Sequence, residues 1–203
     1  LAISNGYCTL AEVKAALRIP NADTVDDTIL EGNVEAASRL IDGYTMRSFY
    51  NAGTAVRYFA PDNAIYLPID DAISISEVAT SSDIDTTYDV IWASTDYQKE
   101  PLNGRVDGLG GWPTTGIRAI DNYDFYVNNG QALARVTGVW GWSAVPIAIK
   151  QATIIQASRI FKRLDSPLGV LSSPDMGFIR VGHKLDPDVQ MLVSSYRLMR
   201  NLA

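Results

Sequence analysis

Val136-Thr137-Gly138-Val139-Trp140-Gly141-Trp142-Ser143-Ala144-Val145-Pro146 is the stretch on which the chain changes its grammar. Up to Trp140, starting from Ala134-Arg135, small, apolar and polar residues follow the period of two that a strand needs. After Pro146, Ile147, Ile154 and Phe161 recur every seven residues, and Ala148, Ala152 and Ala157 keep the surface thin, which is a helical pattern. Gly138 and Gly141 relax the backbone at the end of the strand, and Trp140 and Trp142 anchor the corner. Pro146 opens the helix at a position where its missing amide hydrogen costs nothing. A helix is therefore predicted over 146–164, with Arg159, Lys162 and Arg163 at the negative end of its dipole.

Upstream of this corner, residues 54–142 read as short strands. The strand runs are Val56-Arg57-Tyr58-Phe59, Ile65-Tyr66-Leu67, Ile73–Val78, Tyr88–Trp92 and Ala134–Trp140. Turn-formers such as Pro61-Asp62-Asn63, Asn103-Gly104 and Gly110-Gly111 break them. Asn129-Gly130 predicts a hairpin turn between Phe125-Tyr126-Val127 and Leu133–Val136. Residues 79–87 and 99–116 read as long polar loops.

Helices flank the block. Thr9-Leu10-Ala11-Glu12 is a capping box, Cys8 against Val13 fits a hydrophobic staple, and Pro20 ends a helix over 10–18. A second helix is predicted over 25–48, with Thr24 as N-cap and Leu30, Val34, Ala37, Ile41 and Tyr44 as its buried stripe. Glu35 and Arg39 are spaced for an ion pair on that helix. A Gly-, Pro- and Ser-rich linker over 165–185 leads to Asp186-Pro187-Asp188, which opens a last helix over 187–201. Val189, Leu192, Val193, Tyr196 and Met199 form its apolar face. The expected fold is α+β: a bundle of about four helices, from 1–53 and 143–203, with a small antiparallel β-domain inserted at 54–142.

Apolar residues make up 47% of the 203, enough for a real core. Cys8 is the single cysteine, so there is no internal disulfide and no cysteine-based zinc site. No apolar run approaches the ~20 residues of a membrane span, and Leu1–Gly6 lacks a signal-peptide pattern. A soluble protein made in a reducing cytoplasm, trimmed at Leu1, is expected. Residues 1–145 hold nine basic and 19 acidic side chains, whereas 146–203 hold eight basic and four acidic. An acidic body argues against coating nucleic acid, and the contrast suits neighbours that stack unlike ends.

Little in the chain carries catalysis. His183 is the only histidine and sits in the Gly-Pro-Ser linker without a nucleophile elbow. Asp83, Asp85 and Asp89 start like a calcium loop, but Tyr88 and Ser94 stand where its glycine and glutamate belong. Asp70-Asp71 and Asp121/Asp124 are carboxylate pairs of the sort that any acidic chain offers. Gly108-Leu109-Gly110-Gly111 lacks the helix and lysine of a phosphate loop. Trp112, Tyr123, Phe125, Trp140 and Trp142 fit a core better than a sugar platform. No catalytic, cofactor or metal residues are assigned.

The corner at 136–146, continued through Ile149-Lys150-Gln151-Ala152 to Ala157, resembles the strand-to-helix junction of phage head-to-tail connector (adaptor) proteins of long-tailed phages and gene transfer agents. Thr9–Lys14, Asp26-Asp27, and Asp186-Pro187-Asp188-Val189 leading to Tyr196-Arg197 are similar to that group too, so both helical ends carry the resemblance. The resemblance implies a structural virion protein of the neck. It implies a ring, typically a dodecamer, between the portal and a stopper or tail-terminator protein, with DNA passing through without sequence-specific binding. Arg159, Lys162, Arg163, Arg197 and Arg200 are the candidate contacts to portal or neighbouring subunit. The alternatives are another neck or tail-completion ring protein (stopper or terminator), or a carbohydrate-active phage protein.

Overall fold

The computed structural model describes residues 2–83, 85–164, 170–173, 177–180 and 185–198. It is α+β, with four α-helices and an antiparallel sheet. The chain forms two compact units: one from the described residues up to Phe49 and from Val145 onward, the other spanning Tyr50–Ala144. Among the described residues, no helix is long and apolar enough to cross a membrane.

The first unit holds α1 (Leu10–Leu17), α2 (Asp27–Thr45), α3 (Ile147–Leu164) and α4 (Pro187–Val193), with α3 packed against the other three. The capping box of α1 forms as the sequence dictates. The Thr9 hydroxyl accepts from the Glu12 amide at 3.3 Å, and Glu12 Oε2 accepts from the Thr9 amide at 2.8 Å. Cys8 and Val13 are buried together with Leu30, Val34, Ala37 and Ala157. Ile154 and Phe161 pack against this cluster from α3.

Helix boundaries moved where a backbone bond outweighed the pattern. Arg18, in the left-handed region (φ 62°), closes α1 one residue earlier than expected, before Pro20 is reached. Thr24 does not cap α2 with its side chain; its carbonyl accepts from the Asp27 amide at 3.3 Å, and the helix begins at Asp27. Met46 (φ 58°) ends α2 short of 48. The last helix, expected over 187–201, stops at Val193 and gives way to a single 3-10 turn over Ser194–Tyr196. Past that turn the Leu198 amide donates to the Thr45 carbonyl at 2.8 Å, so the chain leaves its helix and serves an orphan carbonyl at the end of α2. Met199 lies outside the described residues.

The Tyr50–Ala144 unit carries β1 (Asn51–Phe59), β2 (Tyr66–Thr80), β3 (Val90–Trp92), β4 (Tyr97–Glu100), β5 (Arg105–Val106), β6 (Leu109–Gly110), β7 (Thr114–Ala119) and β8 (Ala134–Gly141). Six of these form one sheet in the order β1-β8-β2-β7-β4, with β3 also on β2, and all pairs antiparallel. The runs expected as separate strands at 65–67 and 73–78 are one strand, β2, whose register breaks between Pro68 and Ala72, where proline has no amide to give. The predicted hairpin is not formed. Asn129 (φ 41°) and Gly130 (φ 75°) do make the turn, but the Phe125 amide bonds the Ala64 carbonyl, and β8 pairs with β1 and β2 instead. The segment 99–116, read as loop, holds the end of β4, the β5–β6 ribbon and the start of β7. Farther on, β9 (Val170–Ser173) and β10 (Gly177–Arg180) pair antiparallel within the expected linker.

The glycines of the opening stretch are steric requirements. A Cβ on Gly138 would lie 2.3 Å from the Ser74 carbonyl oxygen of β2. One on Gly141 (φ 97°) would lie 1.9 Å from the Tyr50 carbonyl oxygen. Trp140 is fully buried and donates its indole N–H to the Ala55 carbonyl at 2.8 Å, while Trp142 donates to Asp71 Oδ2 at 2.8 Å.

Candidate docking surface

The basic side chains singled out in the sequence sit at two places in the helical unit. Arg159, in the last turns of α3, is ion-paired with Asp186. Asp186 is also the N-cap of α4, accepting from the Asp188 amide at 3.0 Å, so Arg159 helps to hold α4 at its start. Lys162 is exposed and Arg163 half-buried, one turn farther along α3. Arg197 stands just past the 3-10 turn, its guanidinium 5.4 Å from the centre of the Tyr44 ring on α2. Asp186 and Arg197 lie at opposite ends of α4 and its turn, roughly 16 Å apart along the axis at 1.5 Å per residue. The structure thus brings Arg159 to its own subunit's acid and Arg197 to an aromatic face. Arg200 and His183 lie outside the described residues.

The side chains considered for chemistry are mostly engaged in the fold. Trp112, Phe125, Trp140 and Trp142 are buried, so they offer no open platform for a sugar. Trp92 and Phe125 lie with ring centres 4.6 Å apart, and Trp112 and Trp142 5.2 Å apart, both pairs tilted. Asp89 accepts from the Ser82 amide and hydroxyl, which lowers its pKa, and Asp85 accepts from Thr87. Among the described residues no group of acids, histidines and cysteines is placed to hold a metal ion. Burial, and then the nearby Glu12 charge, push the Cys8 thiol up to about 12, so it stays protonated.

Sequence reasoning missed an anchor. Lys14 is buried, and its ammonium donates to Asp27 Oδ1 at 2.6 Å, to the Asn21 carbonyl at 3.2 Å and to the Asp23 carbonyl. The signal was present: Lys14 falls four residues after Leu10, on the apolar stripe of α1. A second missed feature is the strap Ser4–Tyr7 along α2. Glu35 Oε1 accepts from the Ser4 and Asn5 amides at 2.6 and 2.9 Å, and the Tyr7 hydroxyl donates to Asp42. Arg39 links both acids, Asp42 at 2.8 Å and, as the sequence spacing predicted, Glu35 at 3.5 Å. Burial raises the Asp42 pKa against the opposing hydrogen bond from Tyr7 and the charge of Arg39.

Residues 7–83, from the strap through α1, α2, β1 and β2, match the family model described as phage gp6-like head-tail connector protein. Over these residues the chain is similar to that connector family. A likeness in fold extends beyond the matched residues. A chain of the neck of an empty gene transfer agent (GTA) particle, computed with C6 symmetry, superposes with a TM-score of 0.56 at 19% identity, covering 100% of this chain and 95% of that one. A chain of the virion of a native GTA particle gives 0.55 at 17% identity, and one of the native GTA neck, computed with C12 symmetry, 0.54 at 16%, with the same coverage. These likenesses concern the fold. No curated protein sequence matches this chain.

Proposed function

We propose that this chain is a structural, non-enzymatic subunit of a ring in the virion neck, made in the host cytoplasm and seated between the portal and a stopper or tail-terminator protein. The match of residues 7–83 to the head-tail connector family model carries the reading. The whole-length likeness to a chain of a GTA neck supports it, because that neck was computed with C6 symmetry and its native counterpart with C12. A closed ring needs two different faces on every subunit, and DNA would pass through its centre without sequence-specific contacts. In this reading the protein is a helical bundle, 1–53 with 143–203, carrying an inserted β-domain at 54–142. Lys162, Arg163, Arg197 and Arg200 would meet an acidic surface of the portal or of the adjacent subunit, with Arg159 tied to Asp186 behind them.

The test is genetic and biochemical. Particles assembled without this chain should contain packaged heads that fail to join tails, and adding the purified chain should restore joining. Tailed, infectious particles made in its absence would refute the assignment.

A further inference from the structure

Strand β1 lies at an open edge of its sheet. Its nine residues pair with β8 on one side and, among the described residues, with no strand on the other. The Ser76 hydroxyl of β2 donates to the Thr137 carbonyl, so Thr137 of β8 faces β2. Val56, its partner across the β1–β8 ladder, therefore turns its own N–H and C=O away from β8. By the same alternation Thr54 and Tyr58 do so as well. Among the described residues these outward groups make no backbone hydrogen bond. Val56 and Tyr58 are 47% and 57% exposed. A long, apolar, unpaired edge invites another strand, and folds that leave one open blunt it with lysine, with proline or by keeping it short. The opposite edge is blunted in this way: β4 has four residues, among them Lys99 and Glu100, and Pro101 follows. β1 has no lysine and no proline, and its one cation, Arg57, lies over the Trp140 ring and bonds Asp70.

The same chain holds a ribbon that lacks a third strand. Among the described residues β9 and β10 pair only with each other, four residues to a strand. A two-stranded ribbon is marginal by itself in water and is stabilised by a further strand. Neither β9 nor β10 contains a lysine or a proline that would blunt it. Four residues span about 13 Å at ~3.3 Å each, the length of the edge from Thr54 to Tyr58. The β5–β6 ribbon, with two residues to a strand, is too short for that edge. A ring closes through unlike surfaces. Pairing β1 with β1 of another copy joins like with like and stops at a dimer, whereas pairing β1 with the ribbon joins two different surfaces. We propose that in the ring the β9–β10 ribbon of one copy adds to the open edge of β1 of a second copy of this chain and extends its sheet. Backbone hydrogen bonds to Thr54, Val56 and Tyr58 then hold the two copies together. The inference rests on the ring reading above and names a contact that closes the ring.

Proline at an outward-facing position of an edge strand keeps the ladder to β8 but has no amide to give to an added strand. Val56→Pro should therefore keep the parent's thermal melt and circular dichroism, while ring formation, followed by sedimentation, should need at least tenfold more protein. Val56→Thr, which keeps the amide, should assemble like the parent. In parallel, a photoreactive phenylalanine analogue in place of Tyr58 should, in rings mixed from unlabelled and isotope-labelled copies, crosslink to the segment 170–180 of the other copy. This arm stands if Val56→Pro fails to fold. Rings that form normally with Val56→Pro, an equal loss with Val56→Thr, or assembled rings without that crosslink between copies would overturn the contact of β1 with the ribbon and leave the ring reading standing. A parent chain that forms no ring, alone or on portal-bearing heads, would remove the ring reading and this inference with it.

Discussion

Glu12 does two jobs at once: it closes the capping box of α1 and bonds Lys150 of α3 at 3.0 Å. The first was legible, because a Thr-x-x-Glu spacing is local; the second was not, because nothing in the sequence says that position 150 comes back to position 12. The Thr9 amide, then Lys150, lower the Glu12 pKa. Its folded pKa lies below its unfolded one, so the stabilisation is full above the unfolded value of about 4.3 and is lost as pH falls through the folded value. The side chain is about a third exposed, which screens the ionic part. Glu12→Ala should therefore cost about 1 kcal/mol at neutral pH, the scale of a helix cap, and the gap from the parent should narrow below about pH 4 in urea titrations. A gap of equal size at pH 7 and pH 3.5 would show that the charge of Glu12 contributes nothing. Lys14 marks the opposite limit of residue-scale reading: its place on the apolar stripe of α1 hinted at burial, but its partners, the carbonyls of Asn21 and Asp23 and the carboxylate of Asp27, come from the chain beyond α1.

Elements were legible where the pattern was long and misread where partners at a distance decided. The apolar stripe of α2 located that helix and its buried face, whereas the heptad of α3 located the helix but not its buried face: Ile147 is 80% exposed, and Ile149, Ala152 and Ala157 are buried instead. The turn at Asn129-Gly130 formed as its residues require, yet its flanking run 125–127 joined no strand, because β8 found better neighbours in β1 and β2. The end of α4 yielded to the carbonyl of Thr45. That ending places Arg197 on extended backbone beside Tyr44 rather than in a helical last turn, so a dipole role for it weakens, and its docking role is a proposal that mutation can test. Changing Arg197 and Arg200 together to Glu should leave a folded subunit that joins heads poorly. The contrast with the parent should be greatest at low salt, where attraction is least screened. Equal joining by the parent and the double variant across salt concentrations would eliminate the docking role.

At the scale of the whole molecule, the order helix–helix, strands, helix–helix was readable from the change of hydrophobic period at both ends of the strand block. The candidate site was less so. Cations in the last helices could be counted in the sequence, but their division between Asp186, Tyr44 and solvent depends on the packing of α2, α3 and α4. The open edge of β1 escaped notice because the alternation of a strand tells which face is buried and not which side is paired, and that appears only in the order of the sheet. In the proposed role this chain closes a ring in the virion neck. Cryo-microscopy of the neck of the particle that encodes it, with this chain traced, tests that role. A closed ring of identical copies on the particle axis, between the portal and the first tail component, is expected. A neck whose density between portal and tail is filled by another chain, with this one absent, would contradict it.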